Sequence, residues 1–289
     1  MLDKVREVLR TDDLKRSLRD KLVNAVEEVV SRHHRETTAE IDALRAEVGR
    51  LREELGRQTE RTADRVIERV SDFEHRARRD MFYAAERDAA ADSSRFANET
   101  MPQAAQFTHP HQTLEHGLTL APAGGLALEF GVFTGTTLKI IATARGGEGV
   151  YGFDSFEGLP SDWRAGYPAG AFRTDGLPEV PGAELVVGWF DDTLPGFLAA
   201  HPGPVDFLHV DGDLYSSAKT VLELVGPRLR TGSVIVFDEF FNYAGWREHE
   251  FKAWLEYVAA TGVEFQYEAY TTDNEQVVVR ITGTDRPAG

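Results

Sequence analysis

No cysteine occurs anywhere in the 289 residues, which excludes a disulfide framework, a thiolate metal site and thiol redox chemistry. Any chemistry must run on oxygen and nitrogen ligands. Proline is missing from the first 95 residues, which hold only two glycines, Gly49 and Gly56, so little there interrupts a long helix. No apolar run approaches the ~18 residues that a membrane span needs, and the opening Met1-Leu2-Asp3-Lys4 mixes acid and base at once. A cytoplasmic protein with no membrane span is expected. Basic residues are scarce later in the chain: positions 96–289 hold 11 Lys+Arg against 26 Asp+Glu, whereas positions 1–95 balance 21 against 22. Phosphate backbones are bound by concentrated Lys and Arg, so no nucleic-acid partner is expected, and the acidic surface serves solubility.

Texture divides the chain into a helical arm over 1–95 and an α/β domain over 96–289. In the arm, Leu14, Leu18, Leu22, Val26 and Val30 fall at helical spacing, and Ile41, Leu44, Val48, Leu51 and Leu55 follow a 3-4-3-4 pattern. With Ile41, Val48 and Leu55 at position a and Leu44 and Leu51 at d, Glu40 and Glu47 take g and Arg45 and Arg52 the following e. That pattern predicts a homo-oligomer, a parallel coiled-coil dimer; the alternative is a helical hairpin folded back on its own domain. The seam degrades through Gln58 and Thr62 and resumes at Val66, Val70 and Phe73, as after a stutter. Thr11 with Asp12 and Asp13 is expected to cap the helix start.

Beyond Pro102, short β-rich runs alternate with helix-length segments. The runs 126–130, 149–153, 184–187, 205–210 and 233–237 predict five parallel strands, each separated by a helix-length segment. A helix near 249–260 and two strands at 265–270 and 276–281 complete a seven-stranded, doubly wound, mostly parallel sheet of Rossmann-like α/β class.

Glu129-Phe130-Gly131-Val132-Phe133-Thr134-Gly135 leaves the first of these strands and enters a helix, so its backbone can approach a ligand closely. The spacing is E-x-G-x-x-x-G, not the G-x-G-x-x-G of a dinucleotide site, which favours a ligand without a pyrophosphate. Asp154 lies 23 residues beyond Gly131 at the end of the next strand, where an acid binds ribose hydroxyls in doubly wound folds. Gly188-Trp189-Phe190-Asp191-Asp192 offers an aromatic face and carboxylates suited to adenine, or else a core tryptophan.

Strands 205–210 and 233–237 are expected to be neighbours, ~4.8 Å apart, so Asp211, Asp238 and Glu239 should converge at their carboxyl ends. Oxygen ligands of this kind favour a hard divalent ion, Mg2+ first; the alternative is one acid touching cofactor and the others solvated at the rim. Such an ion suits methyl transfer to a hydroxyl, with Asp211 or His249 accepting the proton. His209 reads as a core histidine, and His109, His111 and His116 as either a substrate lid or ordinary surface.

Through LEFGVFTGTTLKIIA, VYGFDSFEGLPSDW, GWFDDTLP, FLHVDGDLYSSAKTVL and IVFDEFFNYAGWREHEFKAW, residues 126–254 resemble the macrocin and mycinamicin O-methyltransferase family of class I methyltransferases. The resemblance implies S-adenosylmethionine as donor, a carboxylate-bound Mg2+ and a sugar hydroxyl of a natural product or glycan as acceptor. By motif it sets Glu129, Gly131 and Gly135 at the methionine part, Asp154 and Ser155 at the ribose, Trp189 and Asp191 at adenine, and Asp211 and Asp238 at the metal; Phe133 and Thr134, within the same loop, are also expected at the cofactor. Glu239 departs from the aspartate of the family pattern. A catechol or other phenol is the alternative acceptor, and a coiled-coil scaffold that binds cofactor without turnover is the reading from another class.

Overall fold

The computed structural model describes residues 2–283, with side chains from Leu14 onward. Two compact units divide at Arg79 and Asp80. The cap expected at Thr11 lies outside the described side chains.

The first unit is one helix, α1 (Leu2–Arg79), which passes through both glycines without a break. Good helix formers dominate it, and exposed pairs such as Arg78–Glu74 at 2.8 Å add support at i,i+4. Its apolar seam, Ile41, Leu44, Val48, Leu51 and Leu55, is exposed along its whole length. No helix among the described residues is long and apolar enough to cross a membrane.

The second unit opens with α2 (Met81–Thr100), capped by Asp80, whose carboxylate accepts from the Phe82 and Tyr83 amides. Residues 80–95, grouped above with the arm, pack into this unit. Ala89, Ser93 and Ala97 are buried at i, i+4 and i+8, where small side chains let the helix approach closely. Phe96 inserts among Phe240, Trp246, Phe251 and Tyr267. Then follow β1 (Ala105–Phe107), α3 (Pro110–Leu120), β2 (Leu126–Phe130), α4 (Thr136–Ala144), β3 (Val150–Asp154) and β4 (Glu184–Val187). The chain continues through α5 (Phe190–Ala200), β5 (Val205–Val210), α6 (Tyr215–Val225), β6 (Leu229–Phe237), α7 (Glu250–Thr261), β7 (Glu264–Thr271) and β8 (Val277–Gly283).

One sheet runs β1-β7-β8-β6-β5-β2-β3-β4, parallel except for β8, which is antiparallel to both neighbours. It has eight strands rather than the expected seven, because β1 pairs with β7 over Ala105–Phe107. That run is too short to register as an alternating pattern. The second difference is larger. No helix forms between β3 and β4, where the segment 155–183 carries Pro160, Pro168, Pro178 and Pro181 with five glycines, and proline removes the donor that a helix needs. Central strands are buried on both faces: every residue of β5 is inaccessible, and Phe130, Phe153, Phe207 and Phe237 fill the two sides.

The order reverses at β2, which has β3 on one side and β5 on the other. Doubly wound sheets bind ligands at the carboxyl ends of strands flanking such a switch point. Ladder hydrogen bonds run past the strand ends there, holding the first loop residues in register: Gly131 N to Phe153 O, Asp211 N to Phe130 O and Asp238 N to Val210 O, at 2.8–2.9 Å.

Candidate active site

A cavity of about 620 Å³ opens over those strand ends. Among the residues expected at a cofactor, Gly131, Phe133, Asp154, Ser155, Trp189 and Asp191 line it. Asp211, Asp238 and Glu239 line it too. Glu129, Thr134 and Gly135 do not: Glu129 is wholly buried, Thr134 pairs with the Thr136 hydroxyl, and Gly135 caps α4.

Asp154 organises the glycine loop as well as facing the cavity. Its Oδ2 accepts from the Val132 and Phe133 amides at 2.9 Å each, and its Oδ1 from the Phe156 amide at 2.7 Å. One carboxylate at the end of β3 thereby orders both adjoining loops. Gly131 has φ +97°, and a Cβ there would lie 1.8 Å from the Asp211 carbonyl oxygen, so only glycine lets the ends of β2 and β5 approach so closely. Phe133, Phe172 and Asp213 also line the cavity and have φ of 47°, 66° and 59°, left-handed conformations that cost non-glycine residues energy and concentrate at functional sites.

Ligand atoms of His209, Asp211 and Asp238 lie within 4.8 Å of one another. His209 is held from behind, with Nδ1 2.9 Å from Glu129 Oε1, while Nε2 sits 3.5 Å from Asp238 Oδ1, an ion-pair distance rather than a close hydrogen bond. Burial works against a charged His209, but the flanking Asp238 and Glu129 carboxylates outweigh it and raise its pKa well above the usual value. Burial likewise opposes ionisation of Asp238, yet His209 brings its pKa below the ordinary carboxylate range. Burial and then the Asp238 charge push Asp211 and Glu239 well up and Asp213 to about 7. Glu239 is buried with Oε2 unpartnered, and its own amide donates to Glu250 Oε2.

His249 does not line the cavity; it is half-buried at the start of α7 with its ring toward Tyr243, and burial lowers its pKa. His109 and His111 pair with each other at the start of α3, and His116 rests on Phe107, all away from the cavity. Sequence reasoning passed over the loop after β3, whose Trp163, Arg164, Tyr167 and Phe172 form one wall. Arg164 bonds Glu275 at 2.9 Å and lies over the Trp163 and Tyr243 rings at 4.0 and 4.6 Å, joining that loop to the β6–α7 and β7–β8 connections. Three aromatics and an arginine in a proline- and glycine-rich stretch were the available signal.

Residues 128–240 match a family described as a methyltransferase domain. The chain carries a methyltransferase domain. Its segment also resembles, at 43% identity over 53 residues, an 8-demethyl-8-(2,3-dimethoxy-alpha-L-rhamnosyl)-tetracenomycin-C 4'-O-methyltransferase of Streptomyces olivaceus. That match covers 18% of this chain and 19% of the relative's length. Among solved structures, the calicheamicin methyltransferase CalS11 aligns at 23% identity and TM-score 0.47, covering 65% of this chain and 85% of that one. The O-methyltransferase NovP aligns at 23% identity and TM-score 0.45, covering 60% and 79%.

Proposed function

We propose that the methyltransferase domain is a cytoplasmic S-adenosylmethionine-dependent O-methyltransferase acting on a sugar hydroxyl of a natural product or glycan, with help from a divalent ion. The observation that carries this reading is one shared cavity, in which the Gly131 loop and Asp154 lie beside Asp211 and Asp238. Asp154 keeps a lone pair for the ribose hydroxyls after bonding the loop amides, Trp189 and Asp191 suit adenine, and the acidic lining attracts the sulfonium.

The donor set fits a hard divalent ion: two cavity-facing carboxylates from adjacent strand ends, with Glu239 Oε2 buried beside them without a hydrogen-bond partner. Such an ion, when bound, would lower the pKa of an acceptor hydroxyl and orient vicinal oxygens. Asp211 and Asp238 would hold it, with His209 fixing the rotamer of Asp238. The acceptor's proton passes to a cavity carboxylate, Asp211 or Asp213. Trp163, Tyr167 and Phe172 present flat apolar faces to the C–H side of a pyranose. They would also accept a catechol or another phenol, the second reading.

Calorimetric titration with S-adenosylmethionine and with NAD, each with Mg2+ and with chelator, tests the cofactor. Binding of NAD alone would sink the proposal. Full activity of Asp211→Ala in excess chelator would remove the ion from it.

For α1 the reading is a parallel two-stranded coiled coil, in which Glu40 and Glu47 face Arg45 and Arg52 of a second copy. Support comes from the exposed seam at 41–55 with opposite charges flanking it. Light scattering of the full chain and of Leu44→Asp with Leu51→Asp tests it: a dimer that becomes a monomer is expected, and monomers throughout would refute it.

A further inference from the structure

None of the cavity's described lining residues comes from α2, yet one face of that helix grips the connection between β6 and α7, residues 238–249, which carries Asp238 and Glu239. Asp92 takes the Arg247 guanidinium at two points, Nε at 2.8 Å and Nη2 at 3.2 Å. Phe96 fits among Phe240, Trp246 and Phe251, with ring centroids 5.4–6.3 Å away. Between these two contacts, Ser93 Oγ accepts from the Asn242 amide at 2.8 Å.

Packing alone does not call for a hydroxyl at Ser93. Ala89 and Ala97, one turn to either side on the same face, let the helix approach as closely, and a buried hydroxyl is unfavourable unless it is bonded. What the hydroxyl adds is an acceptor for one loop amide, and two routes run from that residue to the cavity. Asn242 holds a left-handed backbone, φ 67°, which non-glycine residues adopt at a cost, asparagine more readily than most. Its Nδ2 donates to the Asn274 carbonyl at 3.2 Å, and Asn274 lines the cavity next to Glu275. Its neighbour Tyr243 donates through Oη to the Glu239 carbonyl at 3.3 Å, and the Phe240 amide donates to the Glu275 carbonyl at 3.0 Å. Without the Ser93 acceptor, the Asn242 amide must turn to water, and the left-handed conformation loses the bond that offsets its cost.

We infer that Ser93 is a positioning residue of the active site: by fixing the Asn242 amide it holds Glu239 and the Asn274–Glu275 connection in place at one end of the cavity. It does so without touching donor, ion or acceptor. The inference rests on the methyl-transfer reading of that cavity and adds to it a support that stands behind the loop.

Hydrogen exchange followed by mass spectrometry, on the full chain saturated with S-adenosylhomocysteine, reads this without an acceptor. In Ser93→Ala, the amides of 239–246 and also of 272–276 should exchange about fivefold faster, while 131–136 and 154–158 keep native rates. Ser94→Ala makes the same change on the exposed side of the helix and should leave all four segments native. Mn2+ followed by electron paramagnetic resonance supplies a spectroscopic readout: Ser93→Ala should bind it about tenfold more weakly and with an altered spectrum. S-adenosylmethionine affinity, read by calorimetry, should stay native. Asn242→Gly keeps the amide on Ser93 and suits the left-handed backbone, so it folds, but it gives up the donor to Asn274. It should reproduce the faster exchange at 272–276, and native rates there would overturn the inference. Faster exchange in Ser93→Ala that is confined to 239–246, or spread evenly over all four segments, would reduce Ser93 to helix docking and overturn it too. If the native chain takes up no Mn2+, the ion leaves the proposed function, and the exchange pattern still decides the role of Ser93.

Discussion

His209 Nδ1 lies 2.9 Å from Glu129 Oε1, both side chains buried, on residues that stand opposite each other on β5 and β2. Strand pairing sets this contact, and it places the other ring nitrogen toward Asp238, the first residue after β6. Removing one partner of a buried ion pair leaves the other uncompensated, which costs about 3 kcal/mol or more. Glu129→Ala should therefore lower unfolding free energy by about that amount, and Glu129→Gln by less, because the amide keeps a hydrogen-bond partner for the ring. Urea denaturation measures both; a loss below about 1 kcal/mol for the alanine variant would mean that the pair is not charged.

Asp154 spends three acceptor positions on backbone amides, so its removal should unfix the glycine loop as well as a ligand contact. Asp154→Ala is expected to weaken S-adenosylmethionine binding by about tenfold to a hundredfold, from hydrogen bonds to a charged group worth about 1.5–3 kcal/mol. Calorimetry reads the affinity, and a variant that binds as tightly as the native protein would exclude Asp154 from the site.

The carboxylate cluster makes a pH prediction with a definite sign. Asp213 has its pKa raised from 3.8 to about 7 by burial and the Asp238 charge. A raised folded-state value means that its contribution to stability is complete below pH 3.8 and is lost as pH rises through 7. Asp211 and Glu239 shift the same way. The metal-free protein should thus melt at lower temperature at pH 8 than at pH 6. Mg2+ needs the ionised carboxylates, so the melting-temperature increase it produces should be larger at pH 8. Thermal denaturation at both pH values, with Mg2+ and with chelator, checks this; an Mg2+ effect that shrinks with pH would contradict a carboxylate site.

Most of the sheet was legible because its central strands are buried on both faces and so read as short apolar runs between turn residues, as 205–210 does for β5; the edge strand β4, whose ends are exposed, coincides with 184–187 through its Leu185-Val186-Val187 run. Asp154, Asp211 and Asp238 were legible because a doubly wound sheet puts strand-end residues at one edge. What escaped lacks such periodicity. The three residues of β1 pair only because β7 is available. The segment 155–183 has no regular structure, and its side chains reach the cavity through Arg164 contacts made with residues about 80 and 111 positions later. Glu129 sits within the loop motif, but its side chain follows the strand's inward face to His209, away from the loop's ligand side. His249 is near the cavity in sequence terms, yet the turn before α7 leaves it outside the lining.

Gly131 and Gly146 separate a conformational cost from a contact. Both have positive φ, +97° and +67°, so alanine is strained at either by about 1 kcal/mol. At Gly146 nothing lies within 4 Å of the added Cβ, and Gly146→Ala should lose about that much stability with donor and metal binding unchanged. At Gly131 the Cβ would stand 1.8 Å from the Asp211 carbonyl oxygen, which cannot move without spreading the ends of β2 and β5. Gly131→Ala should therefore cost about 3 kcal/mol or more and displace Asp211 from Asp238. Mn2+ binding followed by electron paramagnetic resonance and S-adenosylmethionine binding followed by calorimetry should both fall in this variant and in neither case for Gly146→Ala. If Gly131→Ala binds the donor normally, the close approach of β2 to β5 does not shape the donor site.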